Sequence, residues 1–223
     1  MTEFLRPFGP TVGHFKLDKE EIELLQKIAE QTKKHRQNVG KTLVGNIKDQ
    51  LGCYMKTHLQ TQNFLNMLHP RILEYVETEF DRQNELYLEP IERLNFDKNK
   101  FSFDLGTGPW INFQTANEFN PVHSHDGLMS AVVYIDVPEE MAKEVYTEDT
   151  KSQCPGHIEF MYGPDVLGSN GTHTIVPETG DFLLFPSGLK HTVYPFKGDY
   201  TRISMSFNVR NYSCDNMTVS RIN

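Results

Sequence analysis

The sequence predicts an α+β fold, with a helical first third followed by a sandwich or jelly roll of short strands. Three observations lead there. Apolar residues recur at helical spacing from Asp18 to about Lys34 and again from Thr57 to Gln83. From Leu86 onward, short runs rich in Phe, Tyr, Val and Ile alternate with clusters of Gly, Pro, Asn and Asp, the habit of antiparallel sheets joined by tight connections. Hydrophobic residues make up 38% of the 223, with 15 Phe and 9 Tyr, so there is apolar volume for a packed core and a disordered chain is excluded. The expected organisation is one domain, 1–223. It comprises a mainly helical part (1–84), a jelly-roll core (85–212) and a C-terminal tail (213–223).

Charge and cysteine usage narrow the function classes. A net charge of -8 argues against a nucleic-acid surface as the main business of the chain. Cys53, Cys154 and Cys214 are widely spaced and form no CxxC pair, so neither a disulfide framework nor a cysteine zinc site is indicated, and a reducing, cytoplasmic setting is expected. Met1 to Pro7 lacks the apolar core of a secretory leader, and no run is long enough to span a membrane.

Taken in order, Phe4 to Leu17 reads as a loop leading into a strand at Val12–Leu17. Asp18-Lys19-Glu20-Glu21 is a capping-box pattern that starts a helix whose apolar stripe is Ile22, Leu25, Ile28 and Ala29. His35 to Asn46, with Gly40 and Gly45, is a connection. In the second helical region Phe64, Leu68, Ile72, Tyr75 and Val76 form the stripe, and Pro70 predicts either a kink or a fresh helix start. Strands are expected at Ile91–Phe96, Trp110–Thr115, Phe119–His125, Met129–Val137, His157–Tyr162, Thr172–Val176, Asp181–Pro186, His191–Pro195 and Tyr200–Arg210. Pro138 to Gly156 is long and acidic. It reads as a solvated loop with one helical turn at its start, placed where a lid would lie.

Three stretches carry chemistry. His123-Ser124-His125-Asp126 sets two imidazoles two residues apart, which an extended strand points to one side. Gly180 to Val193 ends an apolar strand in a Pro-Ser-Gly turn and delivers His191 at the start of the next strand. Arg202-Ile203-Ser204 places a guanidinium and a hydroxyl on one strand face. Singly, each has a bland reading as a turn, a satisfied polar residue or an exposed cation. Together they describe a facial metal site, suited to non-haem Fe(II) with open positions, beside a site for a carboxylate.

These residues resemble the 2-oxoglutarate/Fe(II)-dependent dioxygenase superfamily over about Phe103 to Arg210. The closer likeness is to a branch of oxygenases found in phages and bacteria, carried by His123-Ser124-His125, Ser130-Ala131-Val132-Val133-Tyr134 and Phe185-Pro186-Ser187-Gly188-Leu189-Lys190-His191. The resemblance implies a double-stranded β-helix with the N-terminal helices packed on its major sheet. It implies iron at His123 and His191, and 2-oxoglutarate held by Arg202, Ser204 and Tyr134. The superfamily's acidic second ligand is displaced by one residue here: its position holds His125, and the acid follows as Asp126. Three readings compete: a three-His site, Asp126 swinging in, or two His with waters. Strand geometry favours His125, with Asp126 as a hydrogen-bond partner behind it.

The implied activity is oxidative decarboxylation of 2-oxoglutarate to succinate and CO2, coupled to hydroxylation of a substrate. Prolyl hydroxylases among the relatives make a peptide or protein the first substrate class, with small molecules next. One rival is a cupin-type dioxygenase that uses His123, His125 and His191 without 2-oxoglutarate and leaves Arg202 idle. The other is a non-enzymatic jelly-roll binding module, for instance in a virion.

Overall fold

In the computed structural model the described residues are 3–5, 9–86, 97–106, 108–142, 144, 155–167, 170–214 and 217–220. Chain order is β1 (Glu3–Leu5), β2 (Val12–Lys16), α1 (Lys19–His35), β3 (Gln50–Gly52), α2 (His58–Leu86), β4 (Ser102–Leu105), β5 (Trp110–Gln114), β6 (Asn120–His123), β7 (Met129–Asp136), α3 (Glu139–Ala142), β8 (Ile158–Met161), β9 (Thr172–Ile175), β10 (Asp181–Pro186), β11 (Lys190–Val193), β12 (Arg202–Cys214) and β13 (Met217–Ser220). The strands form two antiparallel sheets. The larger runs β1-β2-β10-β7-β12-β5-β3, with β4 and β13 also paired to β12, and the smaller runs β6-β11-β8-β9.

The helices start where the sequence says and cover one face of the larger sheet. The Asp18 carboxylate accepts the Glu21 N–H at 2.9 Å and the Glu21 carboxylate accepts the Asp18 N–H at 2.9 Å, closing the capping box. Glu21 also receives the Arg71 guanidinium at 2.7 and 2.8 Å, which ties α1 to α2. Pro70 does not split the second helical region: α2 is one helix with the proline inside it. Met67, Leu68 and Ile72, on the turns around Pro70, are all buried. Burial of three such side chains, at about 1.5–3 kcal/mol each, outweighs the ~3 kcal/mol cost of an interior proline. The helix stripes pack with Ile111, Phe113, Val133, Phe182, Met205 and Phe207 of the sheet in one core.

A second apolar cluster lies between the two sheets, where Val132, Tyr134, Leu183 and Phe185 meet Ile158, Phe160, Leu189 and Val193. Strand alternation sends successive residues of β12 to opposite sides. Met205, Phe207 and Val209 join the helix-side core, while Arg202, Ser204, Ser206 and Asn208 line a cavity between the sheets. That polar row on an inward face is what positions the candidate site.

Several expectations are revised. β1, β3 and β4 are strands of three or four residues absent from the expected set; β1 falls in the stretch expected to be a loop, and β3 and β4 in stretches with no expected element. β6 ends at His123, so His125 lies beyond the strand rather than within it. β12 continues to Cys214 and pairs antiparallel with β13, so part of the expected tail belongs to the larger sheet. The strand expected at 91–96, Cys154 and most of the 138–156 loop lie outside the described residues. The start of that loop is anchored rather than merely solvated. Met141 is buried, and the Glu144 carboxylate accepts the Gly198 N–H and the Tyr200 hydroxyl, both at 2.6 Å.

At the other flank of the larger sheet, the buried Asp181 carboxylate receives His14 Nε2 at 2.7 Å, Lys16 Nζ at 2.6 Å and the Glu178 N–H at 2.7 Å. Burial alone would raise its pKa, but the His14 and Lys16 contacts more than offset this and hold it below the ordinary value. Its stabilising contribution is therefore present above the unfolded pKa of about 3.9 and is lost as pH falls through the lower folded value. Asp181→Asn should cost about 2 kcal/mol in urea unfolding at pH 7, and the difference from the native protein should shrink below about pH 4.

Candidate active site

The three imidazoles singled out in the sequence converge. His123 and His191 are direct cross-strand partners in the β6–β11 pair, with ring centroids 4.3 Å apart. His125 reaches the same place by a different route from the one its spacing suggests. Its backbone N–H donates to Ser187 O at 2.8 Å, pinning the chain just past β6 to the turn before β11. Its ring lies 4.8 Å from that of His123 and 5.2 Å from that of His191. The turn onward needs Gly127, whose φ is +100° and whose added Cβ would sit 2.9 Å from Val209 O.

One ligating nitrogen from each ring lies within 4.8 Å of the others. His123 Nδ1 faces Pro121 O at 2.6 Å and His191 Nδ1 faces Leu189 O at 2.9 Å. A carbonyl can only accept, so each Nδ1 carries the hydrogen and each Nε2 keeps its lone pair for a metal. Burial, and then repulsion from neighbouring imidazoles, lowers His125 to about 4 and His191 to about 3; burial also lowers His123. All three rings are thus neutral near pH 7, the state a ligand requires. The donor set fits a divalent transition metal. Asp126 is exposed and lies outside the cluster.

The same cavity contains the other three predicted residues, Tyr134, Arg202 and Ser204, all buried. Arg202 donates from Nη1 to Gly156 O and from Nη2 to Gln114 Oε1. Its Nε is buried with no partner, and among the described residues no carboxylate pairs with the guanidinium. Its charge lies 5.3 Å from the centre of the Tyr134 ring. The Tyr134 hydroxyl is likewise buried without a partner, and burial raises its pKa to about 12, so it remains a donor. Two unmet donors, one of them charged, describe a place for an anion.

Sequence reasoning missed several residues of this cavity. Gln50, Asn112, Ser206 and Asn208 face it from β3, β5 and β12, and Gln114 holds Arg202. Ser130 donates to Asn208 Oδ1 at 2.9 Å and meets Ser187 Oγ at 3.1 Å, bracing the turn before β11 to which His125 is pinned. The available signal was polar residues on the inward phase of otherwise apolar strands, as in Trp110-Ile111-Asn112-Phe113-Gln114.

Residues 108–208 match the model of a family described as "Putative 2OG-Fe(II) oxygenase". That stretch contains His123, His125, Tyr134, His191, Arg202 and Ser204, and the chain resembles the 2-oxoglutarate/Fe(II) oxygenase superfamily. Among solved structures it is similar to a Pseudomonas putida prolyl-4-hydroxylase, at 14% identity and a TM-score of 0.52 over 89% of this chain and 91% of that one. It is also similar to a Trichoplax adhaerens prolyl hydroxylase solved with a hypoxia inducible factor oxygen degradation domain peptide fragment, at 14% identity and a TM-score of 0.51 over 89% and 82%. At such identities the likeness is one of fold. No curated protein sequence matches the chain.

A hydroxyl buried without a partner costs stability, so removing it should not harm the ligand-free protein. Tyr134→Phe is expected to leave the melting temperature unchanged or raise it by about 2–4 °C. A clear drop in a thermal melt contradicts the unpartnered hydroxyl.

Proposed function

We propose that the chain is an Fe(II)- and 2-oxoglutarate-dependent oxygenase, acting as one domain (1–223) built on a double-stranded β-helix. It hydroxylates a peptide or small-molecule substrate and releases succinate and CO2. The observation that carries this reading is the buried Arg202 guanidinium, paired with no carboxylate among the described residues, beside the unpartnered Tyr134 hydroxyl, in the cavity that also holds three convergent, neutral imidazoles.

His123, His125 and His191 would hold the iron, with Nδ1 hydrogens on Pro121 O and Leu189 O fixing the orientation of two of the rings. When bound, iron and 2-oxoglutarate supply the activation of O2 and the two electrons that accompany decarboxylation. The chain's own residues bind and orient. Arg202 Nε and Tyr134 Oη would donate to the distal carboxylate, and Ser204, on the same strand face as Arg202, would add a hydroxyl. Val132, Ile158, Phe185 and Val193 wall the cavity with apolar side chains, which limits water and strengthens these contacts. A three-His site in place of the usual acidic ligand would leave the metal site as a whole more positive by one charge.

A cupin-type reaction without 2-oxoglutarate would use the imidazoles equally well but gives no reason for burying Arg202 without an acid. The test is anaerobic titration of Fe(II) and 2-oxoglutarate into the purified protein. A visible charge-transfer band is expected, absent in His191→Ala and His125→Ala and retained in Asp126→Ala. Arg202→Ala should need about 100-fold more 2-oxoglutarate to reach it, as for the loss of one partner of a buried charge-assisted contact. A band indifferent to Arg202 favours the cupin-type reaction; no iron binding contradicts both.

A further inference from the structure

The partner that the fold gives Arg202 is neutral, and this is the feature with the widest consequence. In the β5–β12 register Gln114 is the direct cross-strand neighbour of Arg202, the position from which an acidic side chain would form an ion pair. Glutamine has the size and shape of glutamate and lacks only its charge. Gln114 is fully buried, and its Oε1 accepts from Arg202 Nη2.

The amide cannot be turned the other way. A guanidinium only donates, so oxygen must face Arg202, and Nε2 faces Glu118 O at 2.5 Å and Tyr194 O at 3.5 Å. The turn that brings Glu118 O there is itself fixed. Asn117 takes a left-handed conformation (φ 64°) and donates its N–H to Phe196 O at 2.7 Å. The Glu118 carboxylate accepts the Thr115 N–H at 2.9 Å and the Lys48 N–H at 3.0 Å. The other terminal nitrogen of Arg202 meets a second neutral acceptor, the Gly156 carbonyl. The guanidinium is therefore oriented at both ends of its terminal edge while no charge among the described residues neutralises it, and Nε remains unpartnered.

We propose that Gln114 is a positioning residue that sets the cosubstrate specificity of this site. By holding Arg202 without neutralising it, Gln114 reserves the buried charge for a 2-oxo acid carrying a second, distal carboxylate. The proposal rests on the oxygenase reading above, and its test separates the two.

The chain's single tryptophan, Trp110, lines the cavity with its ring 6.1 Å from that of His125, so its fluorescence reports binding without turnover. The Mn(II)-loaded protein is titrated with 2-oxoglutarate and, separately, with 2-oxopentanoate, which has the same chain length and the metal-chelating end but no distal carboxylate. The native protein should prefer 2-oxoglutarate. Gln114→Glu, which pairs the guanidinium, should weaken 2-oxoglutarate by about tenfold or more while leaving 2-oxopentanoate within about twofold. Gln114→Leu keeps the charge but not its orientation; it should weaken 2-oxoglutarate by about threefold or more, with 2-oxopentanoate again unchanged, and it carries the test if the glutamate variant does not fold. Equal weakening of both acids in the folded variants marks Gln114 as merely structural and overturns the proposal. A native protein with no preference between the two acids overturns the cosubstrate reading along with it.

Discussion

The structure turns on one unbalanced charge. Arg202 is 2% exposed and no carboxylate among the described residues pairs with it. Burying an ion without a counter-ion costs several kcal/mol even after relaxation, and the two neutral acceptors at its terminal nitrogens recover only part of that. Such a cost is stored where function uses it. Nearby lies a second unmet group, the Tyr134 hydroxyl, and the cavity these two share extends to the imidazoles. On the proposed reading stability and function are opposed within one small volume: a ligand bringing a carboxylate would satisfy both donors at once.

The rest of the fold can be read as the frame that keeps this volume rigid. β12 is central to the larger sheet, and its alternation places Met205, Phe207 and Val209 against the helices while Arg202, Ser204, Ser206 and Asn208 face the cavity. Helices α1 and α2, joined by the Glu21–Arg71 pair, bury the outward face and fix the position of the strand from behind. On the opposite side the smaller sheet contributes His123 and His191 as cross-strand partners. His123 and His191 thus come from the smaller sheet and Tyr134, Arg202 and Ser204 from the larger one, and the packing between those sheets sets their separation.

Much of this was legible from local pattern. The capping box at Asp18, the stripes of both helices and most strands follow from period and turn chemistry, and His123, His125, His191, Arg202 and Ser204 stand out by their places on strands, whereas Tyr134 comes only from the family resemblance. What escaped was non-local or too short to show a period. β1, β3 and β4 are three or four residues long and exist only because a neighbour pairs with them. His125 joins the cluster through a backbone bond to Ser187, 62 positions away, after its own strand has ended. Gln114 looks like any polar residue ending a strand until the register sets it opposite Arg202. Pro70 left open a kink or a fresh helix start because its cost is local, whereas the burial that keeps α2 one helix comes from the sheet.

The central claim, one cavity joining a three-imidazole metal site to an anion site, is tested most directly by a crystal structure grown without oxygen in Fe(II) and 2-oxoglutarate. The account predicts an anomalous iron peak bonded to His123, His125 and His191, and 2-oxoglutarate with its distal carboxylate on Arg202 and Tyr134. Iron bound through Asp126 instead of His125, or a distal carboxylate that does not touch Arg202, would contradict it.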